Sequence, residues 1–294
     1  MPELPDINLY REALDARVRG RVLQRLAIRN PFVLRTAVPP IAVAEDRRVV
    51  DVLRLGKRIV LALEGDFFLV LHLMIAGRLR WLAPSVRPPA KTTLAVFEFP
   101  NGELAFTEAS TRRRASLHLV QGQAALAAFD LGGIEIMDVD TPTFAARLRS
   151  ENHTLKRALT DPRLFSGIGN AYSDEILHRA RLSPLKLTAK LDDAEVSRLH
   201  DATRAVLGEW TDRLRTEARG GFPEDVTAFR PEMAVHGKYR QPCPACGAPV
   251  QRIVYAENEC NYCARCQNGG VLLADRALSR LLHKSWPRSI DELG

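Results

Sequence analysis

The placement of the cysteines narrows the fold more than any other feature of the chain. All five lie between residues 243 and 266, and nothing before residue 243 is a cysteine. A disulfide framework spreads its cysteines along the chain, whereas one dense cluster fits a reduced compartment and a single metal site. Cys243-Pro-Ala-Cys246 and Cys263-Ala-Arg-Cys266 read as two knuckles whose four thiolates close a tetrahedral shell, so one structural Zn2+ per chain is expected on Cys243, Cys246, Cys263 and Cys266. Cys260 is spare. The pair Cys260-x-x-Cys263 is an alternative second knuckle, and the glycine after Cys246, where a knuckle turn wants one, has no counterpart favouring it. A finger of this size accounts for little of a 294-residue chain. The remainder is long enough for two domains with their own cores.

The N-terminal stretch MPELPDINLYREALDARVRG has no apolar run suited to a signal peptide, and no segment reaches the length of a membrane span. With 46% hydrophobic and 26% charged residues the chain reads as an ordinary globular protein. A cytoplasmic monomer is expected, nucleoid-associated if bacterial.

Ile7, Tyr10, Leu14 and Val18 recur at helical spacing and stop at Gly20, which predicts an amphipathic first helix. From about residue 21 to 120, apolar runs such as RIVLALEG and FFLVLHLMI alternate with turns at Glu64-Gly65-Asp66 and Pro100-Asn101-Gly102. That pattern predicts antiparallel strands in a β-sandwich, with residues 83–91 as a proline-rich loop. Past about 140 the pattern turns helical. Leu155 and Leu159 mark one helix, Asp161-Pro162 reads as a cap and first-turn proline, and Gly167-Ile168-Gly169-Asn170 precedes another helix. Asp192 and Glu195 stand in capping-box spacing before a helix running through Trp210, and 211–237 reads as loop. Leu278, Leu281 and Leu282 predict a C-terminal helix packed on the body. The fold class is therefore α+β. The expected domains are 1–125, a β-sandwich with an N-terminal helix; 126–237, helical; 238–268, the finger; and 269–294, a helical tail.

Lys and Arg exceed Asp and Glu by 42 to 35, a net charge of +7 that points toward a polyanion. Removal of Met1 ahead of the small residue Pro2 exposes a secondary amine beside the Glu3 carboxylate. With an ordinary pKa of about 7.7–8.0, an α-amine is partly a neutral nucleophile near pH 7. The GIGN turn sets backbone N–H groups at a helix start with Lys156 nearby, a cradle for phosphate.

These signals, in this order, resemble the formamidopyrimidine-DNA glycosylase and endonuclease VIII family of base-excision repair enzymes. The resemblance covers about residues 1–268 and rests on PELPD, LGKR at 55–58, HLMIAG at 72–77, LTDPRLFSGIGNAYSDEIL at 159–177, VHGK at 235–238 and the finger ending in CQ. It implies a helix-two-turn-helix DNA-binding domain, DNA gripped in a cleft, and a bifunctional glycosylase and abasic-site lyase. In this reading Pro2 forms a Schiff base with the sugar, Glu3 protonates the opening deoxyribose, and Lys57 lies near the backbone and reacting sugar. Lys156 and Asn170 grip phosphates flanking an extruded nucleotide, and His72 and Lys238 occupy DNA-facing positions. Damaged duplex DNA is the expected partner, with single-stranded or bubble DNA as an alternative.

Departures from the family pattern concentrate where DNA is read. The family's second N-terminal glutamate is Asp6. The void-filling methionine falls at Ile75, with Met74 one place earlier. The wedge loop carries Arg112, Arg113 and Arg114 and no aromatic, and the finger arginine is replaced by Asn258. Two alternatives follow: a non-catalytic damaged-DNA-binding protein on the same scaffold, or a lyase restricted to abasic sites or unusual adducts.

Overall fold

The computed structural model describes residues 1–84, 86–224, 226–227, 229–255, 258–274 and 287–293. They divide into two compact units, Met1–Leu131 with Trp210–Thr227, and Gly132–Glu209 with Ala228–Gly294.

The first unit opens on helix α1 (Leu4–Val18). Its start is fixed by a capping box: the Glu3 side chain accepts from the Asp6 backbone, and the Asp6 carboxylate accepts from the Glu3 N–H at 2.9 Å. Pro5 sits in the first turn, where a missing N–H costs nothing. The expected stripe of Ile7, Tyr10, Leu14 and Val18 is fully buried, and Leu4, Leu9 and Ala13 are buried as well. Burial extends beyond one face because the segment after residue 210 returns to this unit. Phe222 packs on Tyr10 at 5.7 Å, and Arg17 lies over the Phe222 ring at 5.4 Å.

Nine strands follow, β1 (Val22–Leu23), β2 (Arg25–Ile28), β3 (Arg47–Leu55), β4 (Arg58–Leu63), β5 (Phe67–His72), β6 (Gly77–Leu82), β7 (Thr93–Phe99), β8 (Gly102–Glu108) and β9 (Ser116–Gln121). They form two antiparallel sheets, β1-β3-β4-β5-β9 and β2-β7-β8-β6, whose inner faces meet through Ile59, Leu61, Leu69, Leu71, Phe97, Leu104 and Phe106. The sandwich is as expected. β4 and β5 are buried on both faces, since Val60, Ala62, Phe68 and Val70 pack outward against Leu126 and Phe129 around helix α2 (Gln123–Ala127). Continuous apolar runs in these two strands are the consequence.

The second unit holds α3 (Thr141–Arg149), α4 (Leu155–Thr160) and α5 (Asn170–Ala180), and α6 (Asp193–Ala218) begins in it and continues into the first unit. The α6 start is capped as expected, with the Glu195 N–H donating to Asp192 at 2.7 Å. Two expectations fail here. Asp161-Pro162 starts no helix: Asp161 ends α4, and its carboxylate instead holds a turn by accepting from the Arg163 backbone and guanidinium. Residues 211–218 are helix rather than loop, because Leu214 continues the apolar spacing of Leu207 and Trp210, and Arg215 pairs with Glu12 and Asp212. The finger is a hairpin, β10 (Gln251–Tyr255) and β11 (Asn258–Tyr262), followed by α7 (Ala264–Asn268). Val235, Val250, Ile253, Tyr262 and Ile290 form its core. Leu278, Leu281 and Leu282, and with them the expected tail helix, lie outside the described residues.

Candidate active site and nucleic-acid interface

In the first unit the capping box orients the chain's first residues. Pro2 and Glu3 are both buried, so the amine and the acid are held at a fixed place. The ammonium of Met1, one residue ahead of Pro2, is pushed below its ordinary value, chiefly by burial. The charges acting on it name its neighbours: Glu3 and Asp6 raise it, Arg78 and Lys57 lower it. Lys57 reaches this position from the β3–β4 turn, made possible by Gly56 at φ 61°. Pro2 and Glu3 thus lie side by side, with Lys57 and Arg78 near enough for their charges to act on the chain's start, and Arg78 carries no motif signal.

Arg78 also builds the neighbouring turn. Its guanidinium donates to the carbonyls of Ile75 at 3.1 Å and Gly77 at 2.7 Å. A Cβ at Gly77 would lie 2.2 Å from the Leu73 carbonyl oxygen, so only glycine closes this turn. Met74 takes a left-handed φ of 52° and is half-buried, while Ile75 is 49% exposed at the tip. His72 stands where β5 enters the turn. Burial, then the Arg58, Lys57 and His118 charges, pull it down to about 4, so it is a neutral imidazole at pH 7.

The arginine loop is anchored by a residue the motif reading passed over. Glu108, 5% exposed, accepts from the backbone N–H of Arg114 at 3.0 Å and of Ala115 at 3.2 Å. Arg113 has a left-handed φ of 39°, and Arg112, Arg113 and Arg114 are all exposed. A buried carboxylate therefore pins the base of a turn whose apex carries three cations.

The second unit is built on a buried polar web. Lys156 donates to the Asn170 carbonyl at 2.7 Å, the Ser173 hydroxyl at 2.8 Å and Asp174 at 2.5 Å. An ammonium has three donors, so Lys156 braces the α4–α5 turn rather than standing out as a loose cation, and it is only 13% exposed. Asn170, expected to hold phosphate, donates its side-chain N–H to the Glu259 carbonyl of the finger hairpin at 2.8 Å. Asp174, fully buried, also accepts from His236 Nδ1 at 2.8 Å and the Asn261 N–H at 3.1 Å. Its neighbour Glu175 accepts from the backbone N–H groups of Ala234, Val235 and His236 at 2.7, 2.9 and 2.9 Å, and burial pushes its carboxyl up. Lys238 sits half-buried just beyond this segment.

The sulfurs of Cys243, Cys246, Cys263 and Cys266 all lie within 4.8 Å of one another, with Cys243–Cys266 at 3.9 Å and Cys246–Cys263 at 3.4 Å. A metal bound by tetrahedral thiolates about 2.3 Å away sets sulfurs about 3.8 Å apart, so the four fit a metal ion. Burial, together with hydrogen bonds to Cys246 and Cys243, pushes the Cys263 thiol up to about 11, and a bound cation's charge would favour its ionised form. Cys260 is buried beside Asp174 and outside this group. His178 Nε2 lies 3.2 Å from the Cys243 sulfur, and no spacing in the sequence announces it. Burial lowers this imidazole's pKa, and because a thiolate sulfur only accepts, the Nε2–H would donate to Cys243 once a metal ionises that thiol.

Comparison with known proteins follows this geometry. The formamidopyrimidine-DNA glycosylase N-terminal domain matches residues 1–116, and the formamidopyrimidine-DNA glycosylase H2TH domain matches 135–216. Together they define a base-excising DNA glycosylase of the helix-two-turn-helix type. The formamidopyrimidine-DNA glycosylase of Thermus thermophilus is 35% identical over 286 residues, 92% of this chain and all of that protein. That of Heliobacterium modesticaldum is 34% identical over 278 residues, 91% of this chain and all of its own. The crystal structure of Lactococcus lactis Fpg with DNA containing an abasic site superposes with a TM-score of 0.79 at 26% identity, covering 90% of this chain and 99% of that one. The chain belongs to the formamidopyrimidine-DNA glycosylase family. Among the described residues no helix is long and apolar enough to cross a membrane.

Proposed function

We propose that this glycosylase is bifunctional, excising a damaged, oxidised base from DNA and then cutting the strand through an imine on Pro2. The observation that carries the reading is the enclosed start of the chain, where Pro2 and Glu3 are both buried, the capping box orients Glu3, and Lys57 is near enough to act on the terminal charge. With Met1 removed, the Pro2 nitrogen attacks C1′ of the extruded nucleotide, the N-glycosidic electron pair leaves with the base, and Glu3 delivers a proton to the ring oxygen as the sugar opens. The resulting iminium acidifies the C2′ proton. Its removal expels the 3′ phosphate, loss of a C4′ proton expels the 5′ phosphate, and water releases Pro2. Lys57, Arg78 and neutral His72 line the path of the phosphates.

The partner on this reading is DNA. Asn170 and Lys156 fix the turn that aims the positive end of α5 at a phosphate. Arg112, Arg113, Arg114 and Lys238 supply backbone contacts, and Ile75 with Met74 fills the gap left by the extruded nucleotide. Zn2+ on Cys243, Cys246, Cys263 and Cys266 holds the finger hairpin, with no part in bond cleavage. The non-catalytic alternative gives no reason for a buried Pro2 beside an oriented Glu3.

Analysis of the cut ends tests the proposal. Incubation with a duplex carrying one oxidised base should leave a one-nucleotide gap with phosphate on both sides. An unbroken strand bearing only an abasic site would show a monofunctional enzyme and remove Pro2 from the reaction.

A further inference from the structure

A hollow of about 260 Å³ in the second unit is lined by Phe229, Arg230, Pro231, His236, Gly237 and Lys238. It is smaller than the roughly 300–1,000 Å³ of sites for drug-sized ligands, so it suits one flat ring system rather than a whole nucleotide. Phe229 is 69% exposed and stacks on the His236 ring at 5.6 Å, the planes inclined by 22°. The backing is rigid: His236 is 4% exposed, and its Nδ1 is tied to Asp174, itself held by Lys156 and the finger backbone. A Cβ on Gly237 would come within 2.9 Å of Phe229 Cδ1, and its φ of 71° suits glycine, so the ring lies flat only because residue 237 has no side chain. Two of the six lining residues are cationic and none is acidic. The larger hollow of about 790 Å³ in the first unit sets Arg29 and Arg87 against Glu98 and Glu103 and offers a polyanion no net attraction.

We propose that Phe229 is a stacking surface for an unstacked nucleobase of the bound DNA, with Lys238 and Arg230 drawing in the adjoining phosphate. A base presents an apolar π-face and a flanking negative charge, which is the complement of a backed aromatic ring between two cations. Stacking of this kind tolerates any base, so it adds affinity for unpaired DNA without selecting sequence. The proposal rests on the reading of the chain as a DNA-binding glycosylase and adds to it a contact with a base outside the arginine loop.

The test uses the metal-loaded full chain and two single-stranded oligonucleotides of equal length and charge, one of thymidines and one of base-free tetrahydrofuran residues. The wild type should bind the thymidine strand more tightly. Phe229→Ala should lose roughly five- to a hundredfold on that strand and nothing on the base-free one, with the salt slope unchanged. Phe229→Leu, which keeps apolar bulk without a π-face, should behave like Phe229→Ala, and Phe229→Trp should restore binding. Lys238→Ala should weaken both strands and lower the salt slope by about one. Equal losses on both strands in Phe229→Ala, retained base preference in Phe229→Leu, or no preference in the wild type would each overturn the proposal. Cleavage of abasic-site duplex by the wild type, measured alongside, reports on the catalytic reading separately.

Discussion

In the first unit the groups assigned to chemistry are held by short-range devices: Glu3 and Asp6 cap one another three residues apart, and Glu108 anchors a loop six residues on. In the second, the groups that shape the α4–α5 turn are held by partners far along the chain. Asp174 and His236 are 62 residues apart, Asp174 and Asn261 are 87, and Asn170 and Glu259 are 89. The difference sets what each unit tolerates. A local device fails locally, whereas the buried web joins α4, α5, residues 234–237 and the finger hairpin, so one lost member leaves several desolvated groups without partners.

The largest expected effect comes from breaking the four-cysteine cluster of the finger. Cys263→Ser should lose the bound zinc and DNA binding together, because the free energy of binding a structural zinc is folding free energy. Cys260→Ser should keep one zinc per chain. Metal analysis of the two variants decides the ligand set, and zinc lost from Cys260→Ser but kept in Cys263→Ser would reverse it.

Next is the comparison of a buried with an exposed ion pair. Asp174→Asn removes the charge facing Lys156 and His236 and should destabilise the protein by roughly 3–5 kcal/mol in urea unfolding. Arg215→Ala breaks a half-exposed pair with Glu12 and should cost no more than about 1 kcal/mol. Similar costs for the two would mean the web is not the organising feature of the second unit.

A smaller loss is expected for His178→Ala. Removing the N–H that the Cys243 sulfur accepts should weaken zinc roughly ten- to a hundredfold in competition with a chelator, while stoichiometry stays at one. Unchanged affinity would make the 3.2 Å contact incidental.

The smallest effect belongs to the arginine loop. Arg112→Ala, Arg113→Ala and Arg114→Ala should each lower the salt slope of DNA binding by about one. Unchanged salt slopes in all three variants would show that these arginines make no phosphate contact.

This contrast also explains what could be read in advance. Ile7, Tyr10, Leu14 and Val18 announced α1, and Asp192 with Glu195 announced the start of α6, because both signals are periodic or local. The clustering of Cys243, Cys246, Cys263 and Cys266 was legible as a short motif. The extension of α6 past Trp210 was missed because part of its support, Glu12, lies 203 residues away. Asp161-Pro162 was misread because a carboxylate before proline serves a turn as well as a helix cap. The internal use of Lys156 and Asn170, and the parts played by Glu108, Glu175 and His178, carry no spacing signal at all. They depend on which backbone groups the fold brings within reach.

The central claim is that Pro2 carries the chemistry while the second unit carries the grip. It is tested most directly by borohydride trapping on abasic-site DNA with the mature chain and with one bearing a residue retained ahead of Pro2. The mature chain should be linked to DNA through Pro2, and Pro2→Gly should also trap because glycine keeps a free amine. The extended chain should bind the same DNA with unchanged affinity and give no adduct. Trapping by the extended chain equal to that of the mature one would contradict the account.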